Sequence, residues 1–423
     1  LTKGRAADAE RPFAVIGKDT RISSDMLETA LTAGLCAAGV DVLSLGVFPT
    51  PGVAYVTRLR GAVMGIVISA SHNPYEHNGI KLFSTDGFKI TDDAEREIEA
   101  LIDSPDELKR LAATHERLGR VVAPPENDRF FGYVDYLAAR AAPGLSGLSV
   151  LVDCACGAAS ETAPALFAHL DCRADIIHNS PDGVNINAGC GSTHLDQLKS
   201  RVISGGYSIG VAFDGDADRC LFVDETGGEI NGDIVLAACA RELKNAGRLP
   251  NNTVVGTVMT NSGFNEFAEN EGITLLKSDV GDRHVLELMR SCGGILGGEA
   301  SGHTIFLEDA TTGDGELTAV KFLSCLAKSG KKASEFAKII RQNPQIILNV
   351  EVPAAKKAEL MENAELKAII ARETERIGTR GMVLVRPSGT ESLIRVTVEA
   401  ETREEAEGTA RRIGDVVTAL LGR

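Results

Sequence analysis

Ile209-Gly210-Val211-Ala212-Phe213-Asp214-Gly215-Asp216-Ala217-Asp218-Arg219 passes from five small or apolar residues straight into three carboxylates. The apolar run is continuous rather than alternating, which reads as a strand buried on both faces. Residues two apart in an extended segment share a side, so Asp214, Asp216 and Asp218 are expected to aim at one point, where without a counter-charge they would repel. Three carboxylates with no soft ligand favour a hard cation, and Mg²⁺ completes its shell with water or a phosphate oxygen. Gly215 and Ala217 leave room for coordination. A solvated acidic turn would explain the acids but not the apolar lead-in. An EF-hand is excluded, because the residues downstream lack its glycine and its bidentate Glu.

The pattern recurs outward from this point. Apolar runs that turn into helix-like segments occur at Phe13 to Ile22, Val150 to Ser160 and Thr253 to Phe264. Each is followed by a later strand that empties into a polar loop: Gly65 to Ile68, Ile209 to Phe213, and Ile295-Leu296. Such alternation predicts α/β units with largely parallel sheets, here triplicated with insertions of differing length. Ligand sites of open α/β sheets lie beyond the C-terminal strand ends, so three such loops could converge. The tail differs, with strands expected around Gly378 to Val385 and Leu393 to Ala400 and a helix over Glu404 to Leu421, a smaller α+β domain. Joints fall near Pro143-Gly144, Leu249-Pro250 and Asn343-Pro344.

Composition bounds the answer from the other side. The chain has 423 residues, 43% of them apolar and 24% charged, as in ordinary folded proteins. Its net charge of −15 would repel a nucleic-acid backbone. No run is long and apolar enough for a membrane span, and the polar start from Leu1 to Arg11 does not resemble a signal peptide, so a cytoplasmic location is expected, with no membrane partner. The nine cysteines are odd in number and scattered, only Cys154 and Cys156 being close, and no paired C-x-x-C spacing suggests zinc. They read as reduced, mostly buried thiols.

Three further loops carry chemistry. Ser69-Ala70-Ser71-His72-Asn73-Pro74, followed by Asn78-Gly79-Ile80-Lys81, offers a serine beside an imidazole and an ammonium, either an activated nucleophile or an Asn-Pro turn with a capping serine. Gly297-Gly298-Glu299-Ala300-Ser301-Gly302-His303 supplies a carboxylate, a hydroxyl and an imidazole for sugar hydroxyls and proton transfer, or else a glycine-rich turn with satisfied polar groups. Arg386-Pro387-Ser388-Gly389-Thr390-Glu391, with Arg395, combines guanidinium groups, hydroxyls and backbone donors suited to a phosphate dianion, provided Glu391 turns away.

Taken together, Ser69 to Asn73, Asp214 to Arg219, Gly297 to His303 and Arg386 to Glu391 resemble the α-D-phosphohexomutase superfamily over essentially the whole chain. Cys190-Gly191-Ser192-Thr193-His194, Asp279-Val280-Gly281-Asp282-Arg283 and Thr311-Thr312-Gly313-Asp314-Gly315 are most similar to its bacterial members that act on amino-sugar phosphates. The resemblance implies three similar mixed-sheet α/β domains and a smaller C-terminal α+β domain around a central cleft, with boundaries at 1–146, 147–248, 249–345 and 346–423. It implies interconversion of glucosamine 6-phosphate and glucosamine 1-phosphate, toward UDP-N-acetylglucosamine. The route would use a phosphorylated serine and a sugar 1,6-bisphosphate. Members acting on mannose or glucose phosphates share that mechanism.

By the same resemblance Ser71 is the phosphorylated serine, and Asp214, Asp216 and Asp218 hold one Mg²⁺ with an oxygen on Ser71. Lys81 and His303 are the proton-transfer candidates, with Arg219 beside them. Glu299 and Ser301 contact the sugar, while Arg386, Ser388, Gly389, Thr390 and Arg395 hold the non-transferring phosphate. Partners are a small phosphosugar and, as a candidate, a second copy of the chain.

Departures from the family pattern are few. Members carry a Gly-Thr-Asp-Gly-Ile-Arg-Gly type segment ahead of the first strand, and no such motif occurs here, so an edge of the first domain is expected to be missing. Cys156 stands where Asn is usual, His284 where Tyr is usual, Ser392 where Pro is usual, and Ala300 replaces a longer polar residue. Two other readings compete. A strand ending in D-x-D fits a haloacid-dehalogenase-like phosphatase with Asp214 as nucleophile and Asp216 as acid/base, but leaves the Ser71 and Arg386 loops unexplained. A phosphosugar-binding protein without turnover would be marked by a lost nucleophile or metal-binding Asp, and both are present.

Overall fold

In the computed structural model, which describes residues 11–124, 128–388 and 391–422, the chain divides into two compact units. Leu1–Val258 with Leu276–Lys338 forms one, and Met259–Leu275 with Ile339–Arg423 the other. Within the first, Phe13–Lys18 leads into the helix Ser24–Ala37, and Ser149–Asp153 into Ala159–His169. Thr253–Thr257 is the third such strand.

Each of these strands pairs in parallel with a later one: Met64–Ile68, Ile209–Phe213 and Leu296–Gly298 respectively. Each later strand then folds back on an antiparallel partner, Ile80–Phe83, Cys220–Asp224 and Thr304–Phe306. The sheets are therefore mixed, and the polar loops picked out in the sequence are the reversals between the parallel strand and its antiparallel neighbour. That is the local reason they project from one sheet end. The first two sheets have five strands each and the third four.

The packing follows the apolar spacing. Leu27, Leu31 and Leu35 recur every fourth residue along one helix face and cover Ile16, Val42, Ile66 and Ile68 of the first sheet. In the second, Leu198 and Val202 do the same over Leu151, Ala212 and Val223. In the third, Val285 and Met289 close over Val255 and Ile305. Phe213, the last residue before the acidic loop, is fully buried.

The second unit is an antiparallel sheet with Leu393–Glu399 between Gln345–Glu351 and Met382–Pro387. Helices Ala354–Glu362, Ala364–Ile377 and Arg403–Leu421 accompany it. Ile394, Val396 and Val398 of the central strand are buried with Ile413 and Val417 of the last helix. Two of these strands and the last helix match the sequence reading. The first strand and the two earlier helices were not anticipated, because Gln345–Glu351 alternates around a polar Asn349 close behind a joint. The helix Gly263–Glu271 also belongs to this unit, since Ser262 N donates to Glu399 Oε1 at 2.7 Å and Asn261 Nδ2 to Asn343 O at 3.0 Å. No helix among the described residues is long and apolar enough to cross a membrane.

Candidate active site

Three reversals of the first unit meet around Ser71. This residue ends the turn after Met64–Ile68 with a left-handed backbone, φ +52°, which a serine adopts only when its surroundings impose it. The surroundings do so through its carbonyl oxygen, which accepts from Arg21 Nη2 at 3.1 Å and Asn187 Nδ2 at 2.9 Å. Its amide donates to Ser69 Oγ at 3.0 Å. With the backbone fixed this way, Ser71 Oγ donates to Asp214 Oδ2 at 2.6 Å and stands 3.5 Å from His72 Nδ1.

The acidic loop differs from the sequence reading in one respect. Asp214 to Asp218 is not extended; it is a tight turn closed by Ala217 N donating to Asp214 O at 3.0 Å, with Ala217 at φ +58°. The carboxylates converge because the chain coils around a point, not because side chains alternate. Their ligand atoms still lie within 4.8 Å of one another. Gly215 serves contact rather than space for a ligand: a Cβ there would lie 2.5 Å from Ser71 O and 2.7 Å from Asn187 Nδ2.

All three aspartates are buried. Lys81 Nζ, from the antiparallel strand behind Ser71, bridges Asp216 Oδ2 at 2.5 Å and Asp218 Oδ2 at 2.9 Å. Burial alone would lower the Lys81 ammonium, but the two carboxylates outweigh it and hold it above its ordinary value. Burial pushes the Asp214 carboxyl well up, and Asp218 and Asp216 add to the push. Burial acts on Asp218 in the same sense, yet Lys81, His303 and Arg219 reverse it and hold that carboxyl down. Asp216 Oδ1 and Asp218 Oδ1 are buried with no hydrogen-bond partner among the described residues. Buried carboxylate oxygens left free beside two others make an oxygen-donor set that fits a small divalent cation.

The third reversal completes the corner. Arg219 and His303 form a backbone bridge, and Cys220 N donates to Gly302 O at 3.1 Å. His303 is buried with both ring nitrogens lacking a hydrogen bond among the described residues, Nε2 standing 3.7 Å from Asp282 Oδ2. Its ring lies against Gly313, where a Cβ would come within 2.4 Å of Nε2. Glu299 Oε1 accepts from Gly281 N at 3.0 Å, and Ser301 is exposed. A cavity of about 330 Å³ opens beside His303, lined by Lys89, Asp282, Arg283 and Thr312.

Several contributors escaped the sequence reading. Arg21 is buried on Asp19 at 2.8 Å and also donates to Asn73 O at 2.8 Å. Thr50, at the head of the helix Thr50–Arg60, donates through Oγ1 to Asp216 Oδ2 at 2.5 Å. Lys89 pairs with Asp282. The strand end Asp19-Thr20-Arg21 carried a signal, a charged pair directly after an apolar run; Thr50 and Asn187 carried none.

In the second unit, Arg386 and Arg395 sit directly opposite each other on neighbouring antiparallel strands. Like charges so placed repel. Arg395 is offset by Glu391 at 3.1 Å and donates to Asn349 Oδ1 at 3.2 Å, while Glu391 N donates to Ser388 Oγ at 3.1 Å. Lys357, which the sequence did not single out, donates to Ser388 O at 2.7 Å. Arg386 begins no turn, being still in the strand Met382–Pro387. Gly389 and Thr390 lie outside the described residues.

Four sequence-family profiles match in order: phosphoglucomutase/phosphomannomutase alpha/beta/alpha domain I over residues 3–109, domain II over 132–228, domain III over 231–342 and the C-terminal domain over 347–416. A phosphoglucosamine mutase of Acetivibrio thermocellus is 46% identical over 413 residues, 97% of this chain and 91% of the relative. That of Bacillus licheniformis is 48% identical over 419 residues, 98% and 92%. The chain belongs to the phosphoglucosamine mutases. As a member of this phosphohexomutase family it is an isomerase. Solved structures share the family fold at lower identity. A phosphoglucomutase/phosphomannomutase family protein of Burkholderia thailandensis has a TM-score of 0.80 at 24% identity, covering 96% of this chain and 90% of that one. An N-acetylphosphoglucosamine mutase of Aspergillus fumigatus, in complex with GlcNAc-6P and magnesium, has 0.68 at 22%, covering 92% and 93%.

Proposed function

We propose that this phosphoglucosamine mutase interconverts glucosamine 6-phosphate and glucosamine 1-phosphate through phospho-Ser71 and a sugar 1,6-bisphosphate, supplying a precursor of UDP-N-acetylglucosamine. The observation that carries the reading is Ser71 Oγ at 2.6 Å from Asp214 in a buried carboxylate triad whose other two members are bridged by Lys81. Phosphoryl transfer depends on positioning and charge neutralisation more than on covalent invention. The free oxygens of the triad fit Mg²⁺, which Asp214, Asp216, Asp218 and an oxygen on Ser71 would hold. When bound, the cation supplies the positive charge that a phosphoserine next to three carboxylates requires.

The residues divide the remaining work. Phospho-Ser71 donates its phosphoryl group to the free hydroxyl of the bound sugar phosphate. His303, buried with unengaged ring nitrogens, receives the hydroxyl proton. Lys81, kept protonated by its carboxylate partners, and Arg219 steady the transferring charge. The sugar, held by Glu299 and Ser301, turns over within the enzyme, and its other phosphate returns to Ser71. Arg386, Ser388, Gly389, Thr390 and Arg395 hold whichever phosphate is not transferring, a reading supported by the two guanidinium-bearing residues that sit opposite each other, of which Arg395 is paired with Glu391.

The domains are proposed to run 1–146, 147–248, 249–345 and 346–423. The nine free cysteines suit a reducing, cytoplasmic setting, and a homodimer is the proposed assembly. A coupled assay with Mg²⁺ and catalytic sugar bisphosphate tests the substrate, with glucosamine 1-phosphate expected to be preferred over glucose and mannose 1-phosphates. Preference for either neutral sugar would keep the mechanism and overturn the substrate.

A further inference from the structure

A second cluster of metal-ligating side chains lies in the same unit, away from the aspartate triad. Asp153 ends the first strand of the second sheet, His178 follows its parallel neighbour Arg173–Ile177, and Cys190 lies on the loop that then returns toward that sheet. One ligand atom from each, a carboxylate oxygen, an imidazole nitrogen and a thiol sulfur, all fall within 4.8 Å of one another. Asp153 and Cys190 are buried.

The geometry is that of a prepared cage. Asp153 is oriented by two backbone donors, Ala155 N to Oδ1 at 2.9 Å and Gly191 N to Oδ2 at 3.0 Å, the kind of outer support that metal-binding carboxylates carry. His178 Nδ1 is buried and stands 2.9 Å from Asp153 Oδ2, so an imidazole nitrogen and a carboxylate oxygen face one another within the cluster.

We propose that Asp153, His178 and Cys190 form a second metal site that takes Zn²⁺. Mixed sulfur, nitrogen and oxygen donors select a borderline divalent ion and disfavour Mg²⁺. The site is structural. It ties two adjacent strand ends to the loop bearing Cys190 and Asn187, and Asn187 Nδ2 donates to the Ser71 carbonyl at 2.9 Å. The C-x-x-C spacing usual for zinc is absent because the donors come from three separate segments.

Metal-stripped protein reloaded with Zn²⁺ should retain about one Zn²⁺ per chain through dialysis against excess Mg²⁺, and its thermal midpoint should rise with added Zn²⁺. Co²⁺ in place of Zn²⁺ should give a thiolate-to-metal charge-transfer band. That band should persist in Asp214→Asn and disappear in Cys190→Ser, and His178→Gln should weaken affinity by at least roughly tenfold. Wild-type protein without the band, or a band that disappears with Asp214→Asn and survives Cys190→Ser, overturns the proposal, and neither result depends on a fragile variant. Failure of the reduced protein to retain Zn²⁺ through dialysis would also overturn it.

Discussion

The Asp214-to-Asp218 turn is buried, is crossed by hydrogen bonds from three other segments, and carries negative charge partly matched by Lys81. Around the second-unit reversal, Arg386, Ser388 and Arg395 are half-buried and Glu391 is exposed, the two arginines bring positive charge, and Lys357 and Glu391 make contacts there. In the proposed function both handle phosphate, and their contrast matches what each would have to do. A transferring phosphoryl group needs partners already in place at low dielectric, so that little reorganisation accompanies the step. A phosphate that is only held, and that leaves with the product, is better met by water-facing guanidinium groups whose grip is modest and reversible.

The largest expected effect probes the buried side of the contrast. Ser71→Ala should reduce turnover to background while phosphosugar binding, measured calorimetrically, survives. Unchanged turnover would remove Ser71 from the mechanism. Next, Arg386→Ala should raise KM by roughly 10- to 100-fold, the equivalent of about 1.5–3 kcal/mol for a charge-assisted hydrogen bond, with kcat nearly preserved. A comparable fall in kcat would mean that the exposed turn takes part in transfer, and the contrast would fail.

Gly215→Ala is the third test. Its new methyl group would meet Ser71 O at 2.5 Å, so stability should fall by roughly 1–3 kcal/mol in a denaturant melt, and kcat should fall with it as Ser71 is displaced. A full-activity, full-stability variant would show that the two loops do not need their close approach.

The smallest effect concerns Glu316, in the first turn of the buried helix Gly315–Ser329, where burial pushes the carboxyl from its ordinary 4.5 up to about 8. Its folded value exceeds its unfolded one, so the neutral acid is what the fold favours. The stabilisation is complete below about pH 4.5 and is lost as pH climbs toward 8. Glu316→Gln keeps the acceptor for Thr162 Oγ1, now 2.7 Å from Glu316 Oε1, and should flatten the fall of the thermal midpoint between pH 5 and 8. Asp314, raised by burial to about 7, would leave a residual slope. An unaltered profile would assign the pH response elsewhere.

The linear sequence was sufficient for much of this. Apolar runs near Phe13–Lys18 and Ser149–Asp153 read as strands leading into helices, and the continuous run Ile209–Phe213 as a buried strand that empties into a candidate metal loop. Asp214, Asp216 and Asp218 read as a candidate metal loop because three carboxylates after a buried strand repel without a counter-charge, whereas Ser71 stood out only through the family resemblance. What sequence could not decide was anything made by approach in space. The triad's convergence comes from a left-handed turn at Ala217 and not from strand alternation. Arg21, Thr50 and Asn187 reach the site from segments far apart in the chain, and Asp153, His178 and Cys190 gather from three places with no spacing in common. Local pattern dictates strands and loops because periodicity and propensity act between near neighbours. Which side chains end up within 3 Å of one another depends on sheet register and on the contacts between loops, and only the folded chain supplies those.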